Sequence, residues 1–278
     1  MTAQSDTSSE DLVPTAELAC DRSLQSIDLS KDSPLEDSFQ EDSPLEDSLT
    51  ENELIEAKLK PIYFVSGLGA DRRIFQWLRA DGYRPIHIDW IAPKRREPIE
   101  DYTNRLIEQI EDENPIVVGL SFGGMIAVEI AKQIPTEKVV LLSSVRDKQE
   151  IPFYFKLFKF FPLHRVFPFK SVLFAFYWLA YWLFSPEGAD QKKLLKTILI
   201  ETDPHFLRWA LHKVVVWQNQ EVPDNLVQVH GKRDRIFPYR YVRPDYTVEN
   251  SGHLMVMNRA EEISNLLKEL TIQAEIEA

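Results

Sequence analysis

The sequence predicts an α/β protein in which helices cover both faces of a mostly parallel sheet of about six strands. Two observations support this prediction. Between residues 60 and 270, short apolar runs of strand length alternate with stretches of helical periodicity, which is typical of parallel sheets. Seven of the nine glycines lie at or just after the ends of the apolar runs, where a chain must turn sharply.

Six apolar runs are predicted to be strands. They are residues 62–65, 85–90, 116–120, 138–142, 226–229 and 246–248. Helical periodicity between and after them predicts helices over residues 72–78, 99–110, 125–134 and 261–270. Ligands of such sheets bind outside the carboxyl ends of the strands, so functional residues are expected in the loops that follow the strands.

Residues 1–57 differ from the rest of the chain in charge. They hold 16 of the 44 acidic residues and 2 of the 32 basic ones. The whole protein has a net charge of −12, whereas the residues after this segment have a net charge of +2. This segment has one aromatic residue, Phe39, no glycine, and the sequence DSPLEDS twice. It cannot bury a core, and we predict a disordered acidic tail. A docking peptide or a phosphorylation target is the alternative interpretation.

Composition also narrows the function classes and the cellular location. A net charge of +2 outside the tail does not favour the basic surface that nucleic-acid binding requires. The single cysteine, Cys20, lies in the tail, which excludes an intrachain disulfide and a cysteine-rich zinc site. The first residues show no basic start followed by an apolar run, so no secretory signal is predicted and a cytoplasmic location is expected.

Residues 150–222 interrupt the alternation of strands and helices. Residues 151–185 contain 15 of the 31 aromatic residues and no acidic one. We predict a mostly helical, aromatic-rich cap here, inserted between core segments 58–149 and 223–278. The uncharged run 171–186 is shorter than the roughly 20 residues of a membrane-spanning helix. Either it packs on the core, or it forms a lid that lines an acyl pocket and makes peripheral membrane contact.

A G-x-S-x-G pattern with Ser121 at its centre lies between a predicted strand and a predicted helix. This arrangement is typical of a sharp turn that presents a nucleophilic hydroxyl. A serine needs a neighbouring base to take its proton. His253 follows the last strand and is the favoured base, ahead of His230 at the end of the fifth strand.

The base in turn needs an acid that orients it, and the developing oxyanion needs donors. Asp234 lies just after the fifth strand and is the favoured acid, while Asp147 after the fourth strand is the competitor. The backbone amides of Phe122, which follows the nucleophile, and of Leu68, in the glycine-rich loop after the first strand, are the predicted oxyanion donors.

The segments VSGLGADRRIF, VVGLSFGGMIAVEIA, VHGKRD and ENSGHLM follow one another across residues 60–270. On these segments the chain resembles the α/β-hydrolase superfamily. The resemblance implies an active-site serine and a cap after the strand that follows it. The chain departs from the family in having Ser66-Gly67 where His-Gly is common, and in lacking the usual first strands.

The function that follows is cleavage of an ester or thioester of a small apolar acyl substrate through an acyl-enzyme, without a metal or an organic cofactor. Three alternatives remain open at this point. The first is amide or carbon–carbon bond hydrolysis, the second is cofactor-free lyase or peroxidase chemistry, and the third is a non-catalytic binding protein with the same fold.

Overall fold

A computed structural model describes residues 59–155 and 177–277. The predicted tail, residues 1–57, lies outside the described residues, and so do residues 156–176 of the predicted cap. The described residues contain a six-stranded sheet in which every pair of neighbouring strands is parallel. The prediction of a mostly parallel sheet of about six strands is therefore confirmed.

The strands have the order β2-β1-β3-β4-β5-β6 across the sheet. Their bounds are β1 Pro61–Val65, β2 Arg84–Ile88, β3 Ile116–Leu120, β4 Lys138–Leu142, β5 Leu226–Gly231 and β6 Tyr246–Val248. All five residues of β3 and of β4 are buried. The loops that follow β1, β3, β5 and β6 leave the sheet at the same edge, because all six strands run in the same direction.

Seven α-helices have their bounds within the described residues, and residues 153–155 are also helical. The seven are α1 Ile99–Ile107, α2 Phe122–Ala131, α3 Tyr177–Phe184, α4 Gly188–Glu201, α5 Pro204–Val216, α6 Met255–Asn258 and α7 Ala260–Glu277. The helix predicted over residues 72–78 is instead a 3-10 helix, Arg72–Phe75. The chain turns here through i to i+3 hydrogen bonds that continue as far as Leu78, and these do not build an α-helical ladder.

The core consists of two apolar clusters, one on each face of the sheet. The side chains of β1 show the division: Tyr63 and Val65 belong to one cluster, and Ile62 and Phe64 belong to the other. Helices α1, α2 and α5 contribute to the first cluster, and α4, α6 and α7 contribute to the second. Helices therefore cover both faces of the sheet, as the sequence predicts.

The chain between β4 and β5 includes α3, α4 and α5, where the sequence predicts a helical insertion. Helix α5 begins as its sequence suggests, because the carboxylate of Asp203 accepts a hydrogen bond from the amide of Phe206, and Pro204 occupies the first turn. No helix in the described part of the chain is both long and apolar enough to cross a membrane.

Candidate active site

Ser121 lies at a sharp turn between β3 and α2. Its backbone has φ 54° and ψ −116°, a conformation that non-glycine residues rarely adopt. Two hydrogen bonds hold this turn: the amide of Ser121 donates to the carbonyl of Leu142, and the hydroxyl of Ser144 donates to the carbonyl of Ser121. The hydroxyl of Ser121 is thus carried by a strained but well-supported backbone.

The glycines on either side of Ser121 allow close backbone packing. A Cβ atom on Gly119 would lie 2.4 Å from the carbonyl oxygen of Gly123, and one on Gly123 would lie 2.2 Å from that of Val65. A larger residue at either position would collide with backbone atoms that cannot move independently. The glycines therefore bring the start of α2 against the end of β1, next to the loop that contains Leu68.

His253 lies in the loop after β6 and is buried. Its Nδ1 is 2.8 Å from Oδ2 of Asp234, and its Nε2 is 2.8 Å from Oγ of Ser121. An ionised carboxylate only accepts hydrogen bonds, so Nδ1 carries the proton and Nε2 accepts the hydrogen of the serine hydroxyl. The structure thus places Ser121, His253 and Asp234 in one chain of hydrogen bonds.

Asp234 follows β5 and is buried. Its Oδ1 accepts hydrogen bonds from the amides of Ile236 and Phe237, at 2.7 and 3.0 Å. Burial alone raises the pKa of this carboxyl, but the neighbouring imidazoles and the hydrogen bonds outweigh it and hold the pKa below its usual range. The side chain is therefore ionised at neutral pH and can stabilise a positive charge on His253.

Asp147, the competing acid, occupies a different place. Its carboxylate accepts hydrogen bonds from the amides of Gln149 and Glu150, in the loop after β4. These contacts cap a local turn. The structure therefore does not bring Asp147 into the hydrogen-bond chain of Ser121.

His230, considered in the sequence only as a second base, lies against Asp234. Its Nε2 donates to the carbonyl of Phe237 at 2.8 Å and is 3.4 Å from Oδ2 of Asp234. Burial lowers the pKa of His230, so its imidazole is neutral at pH 7. The sequence could have indicated the contact between His230 and Asp234, because His230 lies four residues before Asp234. A tight turn separates them, in which the amide of Asp234 donates to the carbonyl of Gly231.

The loop after β1 lies close to Ser121. A Cβ atom on Gly67 would be 3.6 Å from the Cβ of Ser121, and Leu68 and Phe122 both line the cavity into which Ser121 opens. Phe122 is the first residue of α2, and its amide is not used in the helical hydrogen-bond ladder. Leu68 and Phe122, whose amides are the predicted oxyanion donors, therefore both border the cavity beside the serine.

Side chains from three parts of the chain fix this loop. The hydroxyl of Ser66 donates to the carbonyl of Ala70 at 2.7 Å, and the indole of Trp90 donates to the same carbonyl at 2.9 Å. Oγ1 of Thr202 lies 2.9 Å from the carbonyl oxygen of Gly69 and 2.6 Å from that of Ile198, so its single hydrogen is shared between the two. Ser66, which replaces the histidine common in this loop, thus has a structural contact, and Trp90 and Thr202 are supports that the sequence did not reveal.

A cavity of about 220 Å³ adjoins Ser121 and His253. Its wall is mainly apolar and comes from the loops at the sheet edge, from the end of β3 and from α3, α4 and α5. The apolar lining includes Leu68, Leu120, Phe122, Phe155, Leu183, Phe184, Leu195, Leu199, Leu207, Leu211, Ile236 and Phe237. An acyl chain or another small apolar group suits this lining.

Comparison with protein families agrees with this arrangement. Residues 62–266 match the family described as the alpha/beta hydrolase family. The chain belongs to the α/β-hydrolase family. A search of curated proteins finds no match.

Solved structures share the fold of this α/β hydrolase. A carboxylesterase of Nitrososphaera gargenis is 16% identical, with a TM-score of 0.59 over 80% of this chain and 93% of the other. The esterase of Exiguobacterium antarcticum is 18% identical, with a TM-score of 0.53 over 76% and 92% of the two chains. A bromoperoxidase of Bacillus anthracis is 18% identical, with a TM-score of 0.59 over 77% and 92%. The family supports hydrolase activity, and these similarities show the fold.

Proposed function

We propose that this α/β hydrolase cleaves a carboxylic ester or thioester of an apolar acyl group through an acyl-enzyme on Ser121. The observation that carries the proposal is the hydrogen-bond chain from Ser121 through His253 to Asp234, which opens into an apolar cavity. Neither feature alone would be enough, because the three hydrogen-bonded side chains supply an activated nucleophile and the cavity supplies a place for the acyl group.

In the acylation step, Oγ of Ser121 attacks the carbonyl carbon while Nε2 of His253 takes its proton. The amides of Leu68 and Phe122 stabilise the negative charge that develops on the carbonyl oxygen. The protonated His253 then gives its proton to the leaving alcohol or thiol as the bond to the carbonyl carbon breaks. The ionised Asp234 stabilises the imidazolium between these two transfers.

In the deacylation step, His253 takes a proton from water, and the hydroxide oxygen bonds to the acyl carbon. The tetrahedral intermediate collapses, Ser121 leaves with the proton from His253, and a carboxylic acid is released. The step consumes one water and needs no metal, oxidant or organic cofactor. Thus, the residues that activate the serine also activate the water.

The insertion between β4 and β5 serves in this proposal as a cap over the acyl group. Leu183 and Phe184 of α3, Leu195 of α4 and Leu211 of α5 all line the cavity. These side chains are uncharged, which favours an apolar acyl group over a sugar or a highly charged acyl group. The cavity is also small compared with the roughly 300–1,000 Å³ of typical ligand pockets, so a short or medium acyl chain is favoured.

A panel of 4-nitrophenyl esters and acyl thioesters of graded chain length tests the proposal. The wild type is expected to hydrolyse short or medium chains, and Ser121→Ala is expected to lower kcat by about 10³-fold or more without changing the circular dichroism spectrum. Ser264→Ala is a matched control, because Ser264 is a buried serine on α7, outside the cavity lining. Activity retained in Ser121→Ala would refute the mechanism.

The same panel separates the proposal from other chemistries of this fold. Adding anilides and peroxide-dependent halogenation to it tests amide hydrolysis and peroxidase activity on the same protein. Turnover of these substrates without ester or thioester hydrolysis would replace the proposed reaction. A folded protein that turns over none of them would point to a binding function.

A further inference from the structure

Arg235 is the one charged side chain, apart from the titratable His253, among the described residues that line the cavity. It follows Asp234 in the loop between β5 and β6 and is exposed to solvent. A cation that is both solvent-exposed and part of the cavity wall marks the opening of the cavity. Its contacts show which part of the guanidinium is already used.

Two neutral groups of the chain hold Arg235. Its Nη1 donates to the carbonyl of Trp182 at 2.5 Å and to the hydroxyl of Ser185 at 3.2 Å. The guanidinium carbon lies 4.9 Å from the centroid of the Trp182 ring. These contacts fix the plane of the guanidinium but do not neutralise its charge.

The carboxylates in the adjoining segments of the chain have other partners. Asp234 uses its oxygens for His253 and for two backbone amides, Glu249 forms an ion pair with Lys232, and Glu187 forms one with Arg259. No carboxylate within the described ranges forms an ion pair with Arg235. The positive charge at the opening of the cavity is therefore without a protein counterion in this part of the chain.

The remaining donors of Arg235 suit an oxyanion. Nη1 can supply two N–H groups, both of which are accounted for by Trp182 and Ser185, which leaves the N–H groups of Nε and Nη2. The planar guanidinium therefore keeps one edge, formed by Nε and Nη2, that can bind a carboxylate or phosphate through parallel hydrogen bonds.

We infer that Arg235 binds an anionic group, a carboxylate or a phosphate, on the ester that occupies the cavity. This inference rests on the proposed function. The substrate class is then an amphipathic ester, with an apolar acyl part in the cavity and an oxyanion at its opening. The oxyanion can belong to a soluble metabolite or to a lipid headgroup, since the recognition chemistry is the same.

A pair of esters that differ only in charge tests the inference. The hexanoyl ester of 4-hydroxybenzoate carries a carboxylate, and the hexanoyl ester of methyl 4-hydroxybenzoate does not. We expect the ratio of kcat/KM for the charged over the neutral ester to fall about tenfold in Arg235→Gln, mainly through KM. The intrinsic reactivities of the two esters cancel, because each variant is compared with the wild type on the same pair.

Arg233→Gln is the matched control. Arg233 is an exposed arginine in the same loop and does not line the cavity, so its replacement should leave the ratio at the wild-type value. A structural role of Arg235 would lower kcat/KM for both esters equally. An unchanged ratio in Arg235→Gln would therefore overturn the inference while the hydrolysis of the neutral ester still supports the proposed function.

A binding measurement decides the inference even if no ester is hydrolysed. The non-cleavable ethers 4-hexyloxybenzoate and methyl 4-hexyloxybenzoate are titrated calorimetrically into Ser121→Ala and into Ser121→Ala with Arg235→Gln. We expect about tenfold tighter binding of the carboxylate, lost in the double variant. Equal affinities in Ser121→Ala would overturn the inference, whereas a missing esterase activity would refute the proposed function alone.

A second arm identifies the source of the anion. Wild type and Arg235→Gln are sedimented with phosphatidylglycerol vesicles and with uncharged phosphatidylcholine vesicles. A preference for the anionic vesicles that is lost in Arg235→Gln would assign the anion to a lipid, and a preference confined to the soluble charged compounds would assign it to a metabolite. The absence of an Arg235-dependent preference in both arms would overturn the inference.

Discussion

The cavity has two walls that are built in different ways. The loop wall consists of the loops after β1, β3, β5 and β6, where backbone packs directly on backbone. A Cβ atom on Gly123 would lie 2.2 Å from the carbonyl oxygen of Val65, and one on Gly231 would lie 2.6 Å from that of Ser251. The helix wall consists of the cavity-lining residues of α3, α4 and α5, such as Leu195 and Leu211, and it meets the cavity mostly through side chains.

This difference indicates which properties each wall controls. At Gly123 and Gly231 in the loop wall a single added carbon must displace main chain, so the positions of Ser121, Asp234 and His253 are fixed together. In the helix wall a change of side chain alters the shape of the cavity and leaves the sheet edge in place. We therefore expect turnover and stability to depend on the loop wall, and chain-length preference to depend on the helix wall.

The largest expected effect is on turnover, at Asp234 in the loop wall. Asp234→Asn replaces the acceptor of the His253 Nδ1 proton and removes the charge that stabilises the imidazolium, so kcat should fall about 10³- to 10⁴-fold. Steady-state ester hydrolysis measures it. Asp147→Asn is the matched control and should stay near the wild-type rate, because Asp147 caps a turn in a different loop. If Asp147→Asn lowered kcat more than Asp234→Asn does, Asp147 and not Asp234 would be the acid that orients His253.

The next effect is on stability, at the glycines of the loop wall. Gly123→Ala should lower the free energy of unfolding by about 3 kcal/mol or more, because its Cβ would collide with two carbonyl groups. Gly67→Ala should change it by less than about 1 kcal/mol, since its Cβ would meet atoms at 3.6 Å or more. Urea unfolding compares the two variants. Similar losses at both positions would contradict the account of this wall.

A smaller effect is expected in the helix wall. Leu211→Phe adds volume to the cavity lining, so kcat/KM for hexanoyl esters should fall about tenfold relative to acetyl esters. The free energy of unfolding should change by less than about 1.5 kcal/mol. Ile200→Phe, at an exposed position of α4, should leave the chain-length preference unchanged. A uniform loss with all chain lengths would show that this wall also controls the chemistry.

The smallest effect concerns the pH dependence of stability at His230. Burial lowers its pKa in the folded protein, so the unfolded chain takes up a proton first as the pH falls. The wild type should therefore lose stability as the pH falls below about 6.5, the ordinary value for histidine. His230→Asn should lose less over the same interval in urea unfolding series, and exposed His205→Asn should follow the wild type. A steeper loss of stability with falling pH in His230→Asn than in the wild type would contradict a lowered pKa of His230.

The sequence predicted the strands well because each is an apolar run that ends at a turn residue. The positions of Ser121, His253 and Asp234 after β3, β6 and β5 also led us to expect that they lie near one another, and the structure places them within hydrogen-bonding distance. Their catalytic roles stay a proposal. The order of the strands across the sheet could not be read from the sequence, since pairing depends on contacts between distant segments.

The supporting contacts were not predictable for the same reason. Arg235 is about 50 residues from Trp182 and Ser185, and nothing in its local sequence indicates that it reaches them. The contact of Trp90 with the carbonyl of Ala70 joins two loops across the sheet edge. Local patterns of hydrophobicity and glycine identify elements and turns, whereas such contacts depend on how those elements pack.

The central claim, an activated serine at position 121, is tested most directly by labelling with a fluorophosphonate and weighing the intact protein by mass spectrometry. The account predicts one adduct on the wild type and none on Ser121→Ala or on His253→Ala, each of which must first be shown to be folded. A detergent that opens the cavity is included with every sample. Labelling that persists in Ser121→Ala, or a folded wild type that stays unlabelled in the detergent, would contradict the claim.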